Sequence, residues 1–201
     1  MIKIKSLILF TIIVLSSCTG FDYFQAAPLL KNSVMGYQDT VITDQFINQQ
    51  EYSFAKIKIG KSSPVILSLA YIENDVYEWI SGDGERVYTL NGKIIKTVGL
   101  VHNFHLITSK ELPSLSLLPI TQSRLVELTN PDAFISQTAS IKVENENQSL
   151  ITISEEITTN IINWEFTNTY LIESESGLVV QSIQYIHPKL SKFAIEYFYK
   201  F

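Results

Sequence analysis

Cysteine is nearly absent: Cys18 is the single thiol in 201 residues. No intrachain disulfide can form, so a folded domain must hold together by packing even in an oxidising compartment. Basic residues are too few to dominate, 15 Lys and Arg against 20 Asp and Glu, for a net charge of −5. That balance argues against nucleic acid and against polyanions held by bulk charge. The apolar run "LILFTIIVL", Leu7 to Leu15, is nine residues long, whereas a bilayer-spanning helix needs about 20. There is no G-x-S-x-G elbow for a serine hydrolase, and "GDGE" has neither the Walker lysine spacing nor the spaced acids of a calcium loop. It reads as a turn. No repeat, low-complexity tract or block of like charge divides the chain.

What is present begins with an export signal. Lys3 and Lys5 precede the apolar run, and the small residues Ser16 and Ser17 follow it, the three-part order of a secretory leader. Leu15-Ser16-Ser17-Cys18 has the form of a bacterial lipobox, in which the cysteine sulfur takes a diacylglycerol and the chain is cut just before it. Cysteine suits that position because its thiolate attacks a lipid donor readily. Residues 1–17 are therefore expected to be a leader, 18–27 a lipidated tether and 28–201 a single domain. The 184 residues left after cleavage carry 13 basic and 20 acidic side chains, net −7, and are long enough to bury one core. Once Cys18 is acylated, no thiol remains for catalysis. Thr19 rather than aspartate follows the cysteine, which favours the outer membrane over the inner one, with the domain facing the periplasm.

Pro28 suits the first turn of a helix and predicts a short one to about Met35. From Tyr52 onward the pattern is β-like. "YSFAKIKI" ends at Gly60, "PVILSLAYI" at Asn74-Asp75, "VYEWI" at Gly82-Asp83-Gly84, and "RVYTL" at Asn91-Gly92. Asn-Gly between apolar runs is a strong hairpin signal, because a type I′ turn needs positive φ at both central residues. "KIIKTV" is the return strand. "TASIKVE" and "SLITISEEI" flank "NENQ", "NWEFTNTYLIE" and "LVVQSIQYI" flank Ser174 to Gly177, and "KFAIEYFYK" alternates like a half-buried strand. The expectation is a mainly β domain: about ten antiparallel strands folded as a sandwich or partial barrel, with one or two short helices near the N-terminus.

Candidate chemistry is thin. His102 and His105 lie three apart on a run that reads as strand, where such residues point to opposite faces, so no shared metal is expected. His187, before Pro188, reads as the close of a strand. Glu73, Asp75, Glu78, Asp83 and Glu85 crowd the region around Trp79, but a glycosidase pair has a plainer competitor in solvated acids at turns. Aromatics carry the better case for sugar contact, since pyranose C–H faces lie well on Trp or Tyr. Tyr71, Tyr77, Trp79 and Tyr88 fall in neighbouring strands and are candidates to share a face; Tyr77 and Trp79, two apart, must do so. Core packing between strands is the competing account of the same aromatics. Tyr77, Trp79, Tyr88 and Tyr185 are the candidate glycan or partner contacts. No catalytic residue, metal ligand or cofactor is assigned.

Two stretches, "WISGDGERVYTLNGKIIKTVGL" (Trp79 to Leu100) and "NTYLIESESGLVVQSIQYIHP" (Asn168 to Pro188), with the lipobox and "VITDQFINQQEYSFAKIKIG", resemble the YjbF/GfcB (YmcC) family of bacterial outer-membrane lipoproteins. The likeness spans most of the mature chain in order. It implies a role in assembling or secreting group 4 capsule or a related exopolysaccharide. It also implies an outer-membrane β-barrel protein and a small periplasmic polysaccharide-export protein as partners, and it brings no catalytic residues. Phe166 and Leu171 stand where that family often carries tryptophan. The function expected is that of a non-enzymatic accessory lipoprotein of polysaccharide export. A glycan-binding module guiding the nascent polymer is the second reading, and a polysaccharide-modifying enzyme the last.

Overall fold

The structure, a computed structural model, describes residues 41–200 apart from 109 and 160–163. The helix expected from Pro28 and the lipidation site Cys18 lie outside those residues. A different short helix, α1 (Asp44–Gln49), precedes the first strand, and Thr43 caps it by accepting the Phe46 N–H on its side chain at 3.2 Å. A side-chain oxygen at that position satisfies an amide the helix itself leaves unpaired.

Twelve strands follow. They are β1 (Phe54–Ile59), β2 (Val65–Glu73), β3 (Val76–Ile80), β4 (Arg86–Leu90), β5 (Lys93–Val98), β6 (Phe104–Leu106), β7 (Ile120–Leu128), β8 (Ala133–Glu146), β9 (Leu150–Thr159), β10 (Phe166–Glu173), β11 (Val179–Gln184) and β12 (Phe193–Phe198). Each pairs antiparallel with its neighbours in sequence, and β1 pairs with β12, so the sheet is an up-and-down closed barrel. This corrects the expectation of about ten strands in a sandwich or partial barrel. The strand missed is chiefly β7. Its inward positions hold Gln122 and Arg124 before Val126 and Leu128, so it does not read as apolar alternation.

Closure is held at the β1–β12 seam. Six residue pairs join it, from Phe54 opposite Phe198 to Ile59 opposite Phe193. Outside the barrel the Phe54 ring stacks on Phe198 at 4.6 Å, Phe46 of α1 meets Phe54 edge-on at 5.5 Å, and Lys56 pairs with Glu196 at 3.0 Å. Inside, Ala55, Ile57, Ile195 and Tyr197 join the core. Sealing both edges removes the unpaired backbone that an open sheet would expose.

The interior is filled. Trp79, Leu106, Ile135, Ile141, Ile153, Tyr170 and Ile195 are all essentially inaccessible. Opposite walls meet through the β4–β5 hairpin, whose Asn91 and Gly92 have φ of +49° and +72°, as the Asn-Gly signal requires. Asn91 is exposed, whereas Gly92 is buried. The Gly92 carbonyl accepts from Gln184 Nε2 at 2.8 Å and from the Tyr197 hydroxyl at 2.9 Å. A Cβ on Gly92 would fall 2.4 Å from Val179 Cβ, so glycine is demanded here by both conformation and space.

Candidate functional site

The aromatic candidates divide between the two faces of the wall. Tyr77 and Trp79 turn inward, their rings stacked at 6.0 Å, and Trp79 packs on Tyr197 at 5.5 Å. Trp79 Nε1–H donates to Thr89 Oγ1 at 2.8 Å, which satisfies the indole in the core. Tyr88 and Tyr71 face outward instead, so the face proposed for all four is not shared. Trp79, 1% exposed, is held in the core.

Tyr88 lies in an outer groove of about 340 Å³ with Tyr71, Glu78, Lys96, His105 and Lys110. Its hydroxyl donates to Glu78 Oε1 at 3.2 Å, and Arg86 Nη1 lies 3.1 Å from the same oxygen. The Lys96 ammonium sits 5.6 Å from the Tyr88 ring centre. Of the acids crowded around Trp79, Glu78 is thus committed to Arg86 and Tyr88, and Glu85 is bonded to the Ser81 hydroxyl.

Tyr185 belongs to a second depression, at the barrel end where β10 begins and β11 finishes. Trp164, Phe166, Tyr185, Pro188 and Leu190 line it, with Glu165 and Thr167 alongside, around about 460 Å³ of open space. Trp164 and Phe166 are 4.4 Å apart by ring centres, and Phe166 and Tyr185 are 5.9 Å apart. Three aromatic faces beside a carboxylate and a hydroxyl make this hollow chemically suited to sugar.

The histidines separate. His105 Nδ1 lies 3.4 Å from Glu127. His102 stacks on His187 at 4.8 Å, and His102 Nδ1 donates to the Asn130 carbonyl at 2.8 Å. His187 is buried with Nε2 3.1 Å from the Thr129 carbonyl and Nδ1 accepting the Lys189 N–H at 3.1 Å. Burial and then the neighbouring His102 hold its pKa below 6.5.

A family model described as "Group 4 capsule polysaccharide lipoprotein gfcB, YjbF" matches residues 28–198. The chain belongs to this family. Among YjbF-family relatives it is similar to the uncharacterized lipoprotein GfcB of Escherichia coli (strain K12), 27% identical over 167 residues that cover 76% of this chain and 78% of that protein. It is also similar to the uncharacterized lipoprotein YjbF of the same organism, at 24% identity with 78% and 80% coverage. The crystal structure of the hypothetical lipoprotein YmcC from E. coli (K12) has a TM-score of 0.70 at 21% identity, covering 86% of this chain and 95% of that one. That likeness speaks for the barrel fold.

Within this YjbF-family barrel, sequence reading missed the most highly charged part of the interior. Glu155 on β9 is fully buried, and its Oε1 meets Arg124 Nη1 at 2.7 Å and Lys93 Nζ at 3.0 Å. Its Oε2 accepts from Asn168 Nδ2 and from the Tyr170 hydroxyl, both at 3.0 Å. Arg124 Nε also donates to Gln137 Oε1 at 2.8 Å. Burial would push the Glu155 carboxyl up, but the two cations outweigh it and hold its pKa at about 2. Arg124 and Lys93 both pair with this one carboxylate oxygen. Burial lowers the Lys93 pKa against the pull of Glu155. The one hint in sequence was polar residues at inward positions of successive strands, which becomes meaningful only once the strand order is known.

Proposed function

We propose that this chain is a non-enzymatic accessory of capsule or exopolysaccharide assembly and secretion, tethered by a lipid on Cys18 to the periplasmic face of the outer membrane. The observation that carries the reading is the family match beginning at residue 28, ten residues after the lipobox cysteine. Residues 18–27 are then the proposed tether between the lipid and the matched domain. A tether of that kind raises the local concentration of the domain near another membrane protein without new contacts. The partners proposed are an outer-membrane β-barrel protein and a periplasmic polysaccharide-export protein; no nucleic acid is involved. Two acyl chains hold a protein at a bilayer stably where one does not.

The test is export of the domain without its lipid. With Cys18→Ala behind a conventional cleavable leader, the protein is expected in the soluble periplasmic fraction, and surface polysaccharide is expected to fall. Full polysaccharide output from that correctly exported, unlipidated protein would sink the reading. A second reading, a module that touches the glycan itself, is favoured by the aromatic hollow at Trp164, Phe166 and Tyr185 and by the groove at Tyr88.

A further inference from the structure

The outer groove is part of a longer alignment. Strand register places Tyr71 opposite Glu78, Glu78 opposite Tyr88, Tyr88 opposite Lys96, Lys96 opposite His105, and His105 opposite Glu127. Glu127 in turn faces Phe134. Directly opposed residues of antiparallel strands project from the same face, so these side chains form one line across the outside of β2 to β8. At about 4.8 Å per strand the line runs about 29 Å, perpendicular to the strands. Bulges that leave Ala70 and Ile95 without a register partner break the alternation of β2 and β5 beside this line, a usual device for re-aiming side chains. Tyr71 and Phe134 are 59% and 61% exposed, far more than a packed wall requires.

We propose that this line is a binding track for an extended, acidic glycan chain laid across the strands. The proposal deepens the glycan-contact reading and rests on it. One strand spacing is close to the length of one pyranose unit in an extended chain. In a β-linked chain alternate rings present the same face, and the two tyrosines stand two strands apart with a carboxylate between them. Tyr71 and Tyr88 then each meet a sugar face, while the Glu78 carboxylate accepts hydroxyls of the ring between. The charge on the sugar follows from which cations are already paired. Arg86 is paired with Glu78, and His105 lies 3.4 Å from Glu127. Lys96 and Lys110 have no carboxylate partner among the described residues, Lys96 making only its weak exposed contact with the Tyr88 ring. Both lysines line the groove, and the sugar carboxylate is assigned to them. Glu73 lines the same groove from β2 and disfavours the acidic unit on that side.

The experiment is affinity electrophoresis of the acylated full-length protein in detergent, in gels cast with surface polysaccharide purified from the bacterium that makes it, and with dextran as the neutral control. Retardation is expected in the native polymer alone and should weaken with salt. Tyr88→Ala is expected to weaken binding about tenfold, equal to about 1.4 kcal/mol, and Lys96→Glu at least as much. Both positions lie on the outer face, and a matching circular dichroism spectrum checks that each variant folds. Trp164→Ala is expected to bind as wild type. Equal retardation by dextran would overturn the acidic assignment. Loss of binding in Trp164→Ala with none in Tyr88→Ala or Lys96→Glu would overturn the track and move the site to the hollow. No retardation of the wild type would overturn glycan contact altogether, leaving the tethering role to its own test at Cys18.

Discussion

Replacing Glu155 by glutamine removes one charge and no volume, and its cost follows from the contacts. Arg124 and Lys93 lie 2.7 and 3.0 Å from Oε1, and the side chains of all three are 3% exposed or less. Without the carboxylate, two buried cations face one amide, whose NH2 must also oppose a donor on one side or the other. Breaking a buried ion pair by removing one partner costs about 3–5 kcal/mol, a large share of the roughly 5–15 kcal/mol that holds a typical domain together. At about 2–4 °C per kcal/mol for a domain of this size, Tm should fall by about 10 °C. The structure also says how the variant escapes. Lys93, already pushed down by burial, can give up its proton. Each pH unit nearer its unfolded value of 10.5 makes that cheaper by about 1.4 kcal/mol. The penalty of Glu155→Gln should therefore shrink between pH 7 and pH 9. Lys93→Met leaves one anion to one cation and should cost less than Glu155→Gln; in the double variant the glutamine should cost less than it does alone. Urea unfolding of the four proteins decides. A Glu155→Gln penalty below about 1 kcal/mol, or one indifferent to Lys93→Met, would refute the reasoning.

Gly92→Ala should cost about 2–4 kcal/mol, because it adds a steric conflict with Val179 to the strain of a positive φ. Gly177→Ala, at φ +70° with nothing within 4 Å, should cost only the strain, about 1–2 kcal/mol; equal shifts in urea midpoint would contradict the close approach of Gly92 to Val179. For His187 both ring nitrogens are committed in the neutral form, so the folded protein resists protonation. Its contribution is whole above 6.5, the ordinary value, and is lost as pH falls from there toward the lower folded value. Unfolding measured from pH 7.5 to 5.5 should show that loss in wild type and less of it in His187→Gln; a flat wild-type profile would dismiss it. The Glu155 carboxyl acts lower. Its stabilisation is present above about 4.5 and is lost as pH falls toward about 2, so wild type should show a second acid transition there that Glu155→Gln lacks.

Local chemistry wrote part of this protein openly. The leader and lipobox expected at Lys3–Cys18 are linear motifs, and that expectation needs no fold. The Asn91-Gly92 turn was legible because a type I′ turn demands those dihedrals of those residues. The closing strand was legible because Phe193, Ile195 and Tyr197 alternate with partly exposed neighbours. Strand β7 was not, since Gln122 and Arg124 occupy inward positions, and the partner that explains Arg124 is Glu155, 31 residues beyond it. The candidate site was half legible. Spacing by two required Tyr77 and Trp79 to share a face, but alternation carries no sign. Which face is inside depends on what covers it.

By itself, then, the sequence determined the antiparallel β class and most hairpins, because each rests on residues near one another in the chain. The tertiary structure alone decided closure between β1 and β12, burial of Gly92, the ion cluster and the line from Tyr71 to Phe134. All four join residues from distant strands, and their partners are chosen by barrel register, which no local pattern encodes.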